Sequence, residues 1–241
     1  MDEPGRDLDR ALSRQEASDA VTGLGWRWVL GVLRANLRVG SLAEAADTAA
    51  RIVAACGDDA GQRLAVDVRR DHVVLTVQQP TGGLVGSREV DLARRITEIA
   101  GRLGLATAAG VGGGSPRSVQ VVEIAIDALD IAAVRPFWKA VLAYTDEPGR
   151  SGPEDPLVDP LGQGPAVWFQ QMDAPRPQRN RVHLDIWVPH DQAEARVAAA
   201  VAAGGRVVSD EMAPSGWVLA DPEGNEACVA TWIGTDGRGY P

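Results

Sequence analysis

The chain has 241 residues, of which 45% are hydrophobic and 24% charged, the balance of an ordinary globular protein. Its formal charge of −9 argues against binding to a phosphate backbone. Up to Ser118 there are about 15 acidic and about 15 basic residues, so the remainder carries the acidic excess. No apolar run approaches the roughly 20 residues of a membrane helix, so no membrane partner is expected. The stretch Met1 to Arg14 is charged and shows no signal segment. Cys56 and Cys228 are far apart in the chain and read as free, buried thiols of a cytoplasmic protein.

In chain order, Ser13 and Glu16 have capping-box spacing and open a helix running to about Gly23. Trp26 to Val39 is strand-like, with a break at Gly31, and Ser41 caps an alanine-rich helix from Leu42 to Ala55. The runs Ala65 to Val68 and Val73 to Val77 are β-rich. Ser87 opens a last helix, with Val90, Leu92, Ala93, Ile96, Ile99 and Leu103 at near-helical spacing. The order helix, two strands, helix, two strands, helix predicts a small α/β sandwich over residues 1–105.

Residues 106–118 are rich in Gly and Ala and read as a linker. Residues 119–235 follow as a second domain and 236–241 as a tail. That second domain contains an internal repeat. Glu123-Ile124-Ala125-Ile126-Asp127 returns about 60 residues later as His183-Leu184-Asp185-Ile186-Trp187. Each copy continues into a helix, Ile131 to Leu142 and Gln192 to Ala203, and ends in a strand, Ala166 to Gln170 and Glu226 to Ala230. Two βαβββ modules side by side curl their sheets around a cleft, giving an α+β chain in both halves. Asp146 to Gly164, with Pro148, Pro153, Pro156 and Pro160, reads as a long loop without regular structure.

Gly25-Trp26-Arg27, Leu33-Arg34, Leu42-Ala43-Glu44-Ala45 and the helix opening Gly83…Arg88-Glu89…Leu92-Ala93 resemble pterin-4a-carbinolamine dehydratases from about Leu12 to Leu103. That resemblance implies a site with a His-His-Pro motif and a third histidine, imidazoles being suited to proton exchange near neutral pH. In this chain the motif falls on Gln62-Arg63-Leu64 and the third histidine on Pro80, while Glu89 keeps the acidic position of the last helix. Glutamine does not titrate and arginine stays protonated, so the site is degenerate as a proton shuttle. His72 reads as a surface histidine.

Trp217-Val218-Leu219-Ala220-Asp221-Pro222-Glu223-Gly224-Asn225-Glu226, together with Arg179 to Asp185 and Phe137-Trp138, resembles glyoxalase-like, vicinal-oxygen-chelate domains over about Val119 to Gly234. Asp221, Pro222 and Gly224 make a tight reversal that aims the strand starting at Glu226. The resemblance implies one metal ligand from the opening strand and one from the closing strand of each module, which fall on Glu123, Gln170, His183 and Glu226. Two carboxylates, an imidazole and an amide oxygen suit one divalent ion, which would polarise substrate oxygens. The competing reading makes His183 a buried, hydrogen-bonded residue and Gln170 a strand contact.

Glu226 and His183 are the expected catalytic residues. Trp168 and Gln170 share strand parity, as do His183, Asp185 and Trp187, and Trp168, Gln170, Asp185 and Trp187 are expected to line a site for a flat small molecule. The alternative is that the tryptophans fill the sheet–helix core. His190 reads as a capping or surface residue. The expected activity is lyase- or isomerase-type chemistry on, or binding of, a small molecule in the glyoxalase-like cleft of a homodimer. Two alternatives stand beside it: a 4a-hydroxytetrahydrobiopterin dehydratase with an altered site, and a non-catalytic ligand-sequestering or assembly protein.

Overall fold

The computed structural model describes residues 10–80, 85–111, 117–175, 182 and 184–233. It divides into two units, Met1–Val121 and Val122–Pro241, each with its own core.

In the first unit Ser13 caps α1 (Arg14–Thr22), and the Glu16 carboxylate accepts from the Ser13 N–H at 2.8 Å, completing the capping box. Strands β1 (Arg27–Val29) and β2 (Val32–Arg38) form a hairpin. Ser41 caps α2 (Leu42–Cys56), and a short helix that the periodicity does not reveal, α3 (Asp58–Arg63), follows it. Strands β3 (Leu64–Val68) and β4 (His72–Val77) lead to α4 (Ser87–Arg102). The sheet runs β1-β2-β4-β3, antiparallel throughout. Alternation along β2 and β4 turns Leu33, Leu37 and Leu75 toward Ile52, Leu92 and Ile96 of the helices, all fully buried. Trp26 is buried in the same core, its indole N–H donating to Thr97 Oγ1 at 2.9 Å.

The stretch expected as linker is partly built into this unit. Strand β5 (Thr107–Ala108) pairs with Leu37 and Asn36 of β2. Gly25, at φ +82°, lies against it so closely that an added Cβ would stand 2.1 Å from the Thr107 carbonyl oxygen. Beyond it, β6 (Gly110–Val111) pairs with β7 (Arg117–Ser118). Small uncharged residues are what this close approach requires, and composition alone does not distinguish that need from flexibility. Residues 112–116 of the expected linker and the tail at 236–241 lie outside the described residues.

The second unit contains β8 (Glu123–Ala128), α5 (Ile131–Leu142), β9 (Thr145–Asp146), β10 (Leu157–Val158) and β11 (Ala166–Gln171). The pattern repeats as β12 (Asp185–Trp187), a 3-10 turn at His190–Gln192, α6 (Ala193–Ala202), β13 (Arg206–Ser209), β14 (Gly216–Ala220) and β15 (Glu226–Ala230). The sheets run β8-β11-β10-β9 and β12-β15-β14-β13, each with one parallel pair, β8 with β11 and β12 with β15. These are two βαβββ modules. A shift of 60 residues carries the register pair Ala125–Trp168 onto Asp185–Cys228, so the repeat holds residue for residue. Both modules contribute to one core, with Phe137, Trp138 and Val167 from the first and Leu219, Ala227 and Val229 from the second.

Two findings correct the expected loop from Asp146 to Gly164. Its residues Asp146 and Leu157–Val158 form the antiparallel strands β9 and β10, which fit because the prolines flank the paired residues. Its end, Asp159-Pro160-Leu161-Gly162, repeats the turn Asp221-Pro222-Glu223-Gly224 of the second module. In each the aspartate side chain accepts backbone N–H groups two and four residues on. The fourth residue has positive φ, +65° at Gly162 and +96° at Gly224, which favours glycine.

Candidate functional site

Strand alternation decides which side chains the second unit presents. Ile124 and Ile126 of β8, Val167 and Phe169 of β11, and Ala227 and Val229 of β15 turn toward the helices. The opposite parity places Glu123, Asp127, Trp168, Gln170, Asp185, Trp187 and Glu226 on the helix-free face. Glu123, Gln170, Asp185 and Trp187 are exposed there, and Trp168 and Glu226 are half-buried. Of the tryptophans, Trp138 belongs to the core and Trp217 packs partly against it.

A cleft of about 250 Å³ opens beside β8, the strand that ends its sheet. Ile124, Asp127 and Trp138 line it from the first module, and Leu184, Asn225 and Glu226 from the second. Glu226 is the expected site residue found among its lining. Glu123, Trp168, Gln170, Asp185 and Trp187 share the helix-free face without lining the cleft. His183 lies outside the described residues, and its chain neighbours Val182 and Leu184 both line the cleft. Asp127, Trp138 and Asn225 were not singled out by the sequence as cleft residues. The available signal for Asp127 was its shared parity with Glu123; for Trp138 and Asn225 it was their place in the quoted motifs.

The Asp221 turn holds this wall together. Asp221 is fully buried. Its Oδ1 accepts from the Glu223 and Asn225 backbone N–H groups, each at 2.9 Å. Its Oδ2 accepts from Asn225 Nδ2 at 2.9 Å and from Trp138 Nε1 at 3.0 Å. Glu223 reaches the other module, its carboxylate accepting from the N–H groups of Leu129 and Asp130 ahead of α5. A carboxylate at a helix N-terminus satisfies donors that the helix itself leaves unpaired.

The four expected metal ligands do not fit one ion. Glu123 pairs with Ala166, whereas Gln170 pairs with Asp127, four residues further along β8. At about 3.3 Å per residue they stand roughly 13 Å apart along the strand. Ligands of one hard cation lie within about 2.6 Å of it, so these two do not share one. The register also shows the cause: the 60-residue shift relates Gln170 to Ala230 and Ala166 to Glu226, so Gln170 and Glu226 are not equivalent. Among the described residues, no three His, Cys, Asp or Glu side chains come together as a metal-binding group. Partial desolvation of its otherwise exposed side chain and the nearby Glu147 carboxylate push the Glu123 carboxyl above its ordinary range.

In the first unit, Gln62, Arg63 and Glu89 do come together. Arg63 Nε donates to Glu89 Oε1 at 2.9 Å and Arg63 Nη1 to Gln62 Oε1 at 3.2 Å. Glu89 is 1% exposed, and its second oxygen accepts from the Gly86 N–H at 2.8 Å. Pro80 follows β4 in a turn and is exposed. Gly83 lies outside the described residues. His72 is half-buried against Asp71 at 2.8 Å, and His190 Nδ1 accepts from Trp232 Nε1 at 3.3 Å. Cys56 and Cys228 are buried and free of disulfide, as expected.

The second unit therefore has the paired βαβββ architecture with a cleft where the modules meet. Residues 123–230 match the family model described as a glyoxalase-like domain. Similar solved structures include a glyoxalase/bleomycin resistance protein/dioxygenase family enzyme from Burkholderia phytofirmans PsJN, at 18% identity, covering 45% of this chain and 95% of that one, with a TM-score of 0.38. A glyoxalase/bleomycin resistance protein from Albidiferax ferrireducens T118 is 21% identical, with 45% and 95% covered and a TM-score of 0.36. The fosfomycin resistance protein FosX from Mesorhizobium loti is 9% identical, with 50% and 98% covered and a TM-score of 0.40. No curated protein matches this chain. No helix among the described residues is long and apolar enough to cross a membrane.

Proposed function

We propose that the second unit binds a small molecule in the cleft beside β8, with Glu226 as the group that exchanges a proton with it. The observation that carries this reading is the lining itself. Apolar walls from Ile124, Trp138 and Leu184 meet Asp127, Asn225 and Glu226 in one concavity, the usual make-up of a ligand site. A half-buried carboxylate such as Glu226 suits the removal of a proton next to a carbonyl, a step shared by lyases and isomerases. No metal-dependent step is assigned, because Gln170 does not share an ion with Glu123 and His183 lies outside the described residues.

The first unit is proposed as a dehydratase-like domain without the acid–base pair of that chemistry. The Arg63–Glu89 ion pair supports this, since a guanidinium held by a buried carboxylate neither gives nor takes a proton near pH 7.

Thermal-shift screening of the full chain against a library of small carbonyl compounds, amines and alcohols tests the reading. Ala125 also lines the cleft, and compounds that raise the melting temperature are expected to lose their effect in Ala125→Trp, which adds an indole there. Stabilisation that survives Ala125→Trp, or a library without any stabilising compound, overturns it.

A further inference from the structure

We propose that the helix-free face of the first unit's sheet holds a small oxyanion, a carboxylate or phosphate group, against Arg34 of β2. Leu33, Ala35 and Leu37 of that strand turn toward the helices, so Arg34 and Asn36 stand on the other face. Only part of the Arg34 guanidinium is engaged. Its Nη1 donates to the Gln120 carbonyl at 2.8 Å, while its Nε is buried and has no hydrogen-bond partner. The side of the group formed by Nε and Nη2 carries two parallel donors, which match two oxygens of a carboxylate or phosphate. A buried donor left unbonded is costly, and an anion at this side supplies its acceptor.

The neighbouring side chains add donors and a second positive charge. Asn36 is only 4% exposed, and its amide makes no hydrogen bond among the described residues. Register sets Thr76 of β4 directly opposite Arg34, on the same face, and its hydroxyl likewise has no partner among the described residues. These positions stand roughly 7 Å apart along β2 and about 5 Å across to β4, the span of one oxyanion with its hydrogen bonds. On the other side, β1 sets Arg27 opposite Arg34, two like charges on paired strands. Arg27 Nη1 donates to the Thr22 and Trp26 carbonyls, and neither arginine forms an ion pair among the described residues. Asp67 of β3, a carboxylate on the same face, is bound by Nε and Nη2 of Arg69. Arg34 and Thr76 are half-buried, so a small anion reaches them from solvent.

Two probes test this on the full chain, inorganic phosphate and acetate, with ionic strength held constant by sodium chloride. In proton–nitrogen correlation spectra the Arg34 Nε–H and Asn36 Nδ2 signals are expected to move and saturate with at least one of them. The anion that binds more tightly gives the class of oxyanion. By isothermal titration Arg34→Lys, which keeps the charge and loses the fork, is expected to weaken binding about tenfold, and Asn36→Leu by a similar factor. No saturable response to either anion, or signals of Arg34 and Asn36 that stay in place while an anion binds, overturns the site. Equal affinity in wild type and Arg34→Lys shows charge attraction without a built site and overturns it too. The wild-type spectra decide even where a variant fails to fold, and none of these outcomes bears on the cleft beside β8.

Discussion

The indole N–H of Trp138, on the helix of the first module, donates at 3.0 Å to the Asp221 carboxylate in a loop of the second, and both side chains are buried. With three further bonds from Glu223 and Asn225, every lone-pair direction of that carboxylate is used. Asp221→Ala removes the shared acceptor of four hydrogen bonds and is expected to destabilise the second unit by about 3–5 kcal/mol. Asp221→Asn keeps the shape and part of the bonding, and should fall between that variant and the wild type. Urea unfolding followed by far-UV circular dichroism measures both. A loss below about 1 kcal/mol for Asp221→Ala would show that the turn does not join the modules.

Arg63 and Glu89 form a pair that is costly to break from one side. Arg63→Met leaves Glu89 buried and held by the Gly86 N–H, with an expected cost of about 3 kcal/mol. Arg63→Met combined with Glu89→Leu removes the stranded charge and should recover more than half of that loss, less the helix cap that Glu89 supplies. A double-mutant cycle in urea gives the coupling. An additive double variant would show that the pair is not coupled.

Gly25 and Thr107 distinguish a built-in strand from a linker. Gly25→Ala combines a positive φ with a Cβ driven into the Thr107 carbonyl, and is expected to cost about 2–4 kcal/mol. Replacing Thr107 and Ala108 with glycines should also lower the unfolding midpoint of the first unit, because β5 loses its Thr107 hydroxyl contact with the Leu24 carbonyl. Unchanged midpoints for both would return residues 106–111 to the status of a tether.

Glu16 ties the stability of the first unit to acid. The Ser13 backbone N–H, then Arg10 and the Ser13 hydroxyl, lower its carboxyl from the ordinary 4.5 to about 2. A depressed folded-state value means the ionised form is stabilising. That contribution is complete above 4.5 and is lost as pH falls toward 2. Glu16→Gln is therefore expected to melt below wild type at pH 7, with the two curves converging by about pH 2. A constant gap across that range would place the effect elsewhere.

Glu123 shows the opposite sign. Partial desolvation and Glu147 raise its carboxyl above 4.5, so its ionised form weakens the fold as pH rises through the folded-state value. Glu123→Gln should gain stability at pH 7 and show no gain below 4.5, as scanning calorimetry at both pH values would measure. A loss at pH 7 would contradict the sign.

Much of the fold was legible in the sequence because its signals are local. Capping at Ser13 and Ser41, the helical spacing from Val90 to Ile99, and the repeat from Glu123 to His183 each occupy one stretch of chain, and hydrophobic periodicity there decides element type and buried face. The same period of two put Trp168 with Gln170, and Asp185 with Trp187, on one side of their own strands before any sheet was assembled. Tertiary structure decided what depends on partners distant in sequence. Only the parallel register separates Gln170 from Glu123, only the edge of β2 turns Thr107–Ala108 from spacer into strand, and only the packing of two modules brings Asp127, Trp138 and Asn225 to one cleft beside Glu226. Register and convergence come from contacts between elements, which no single window of residues contains.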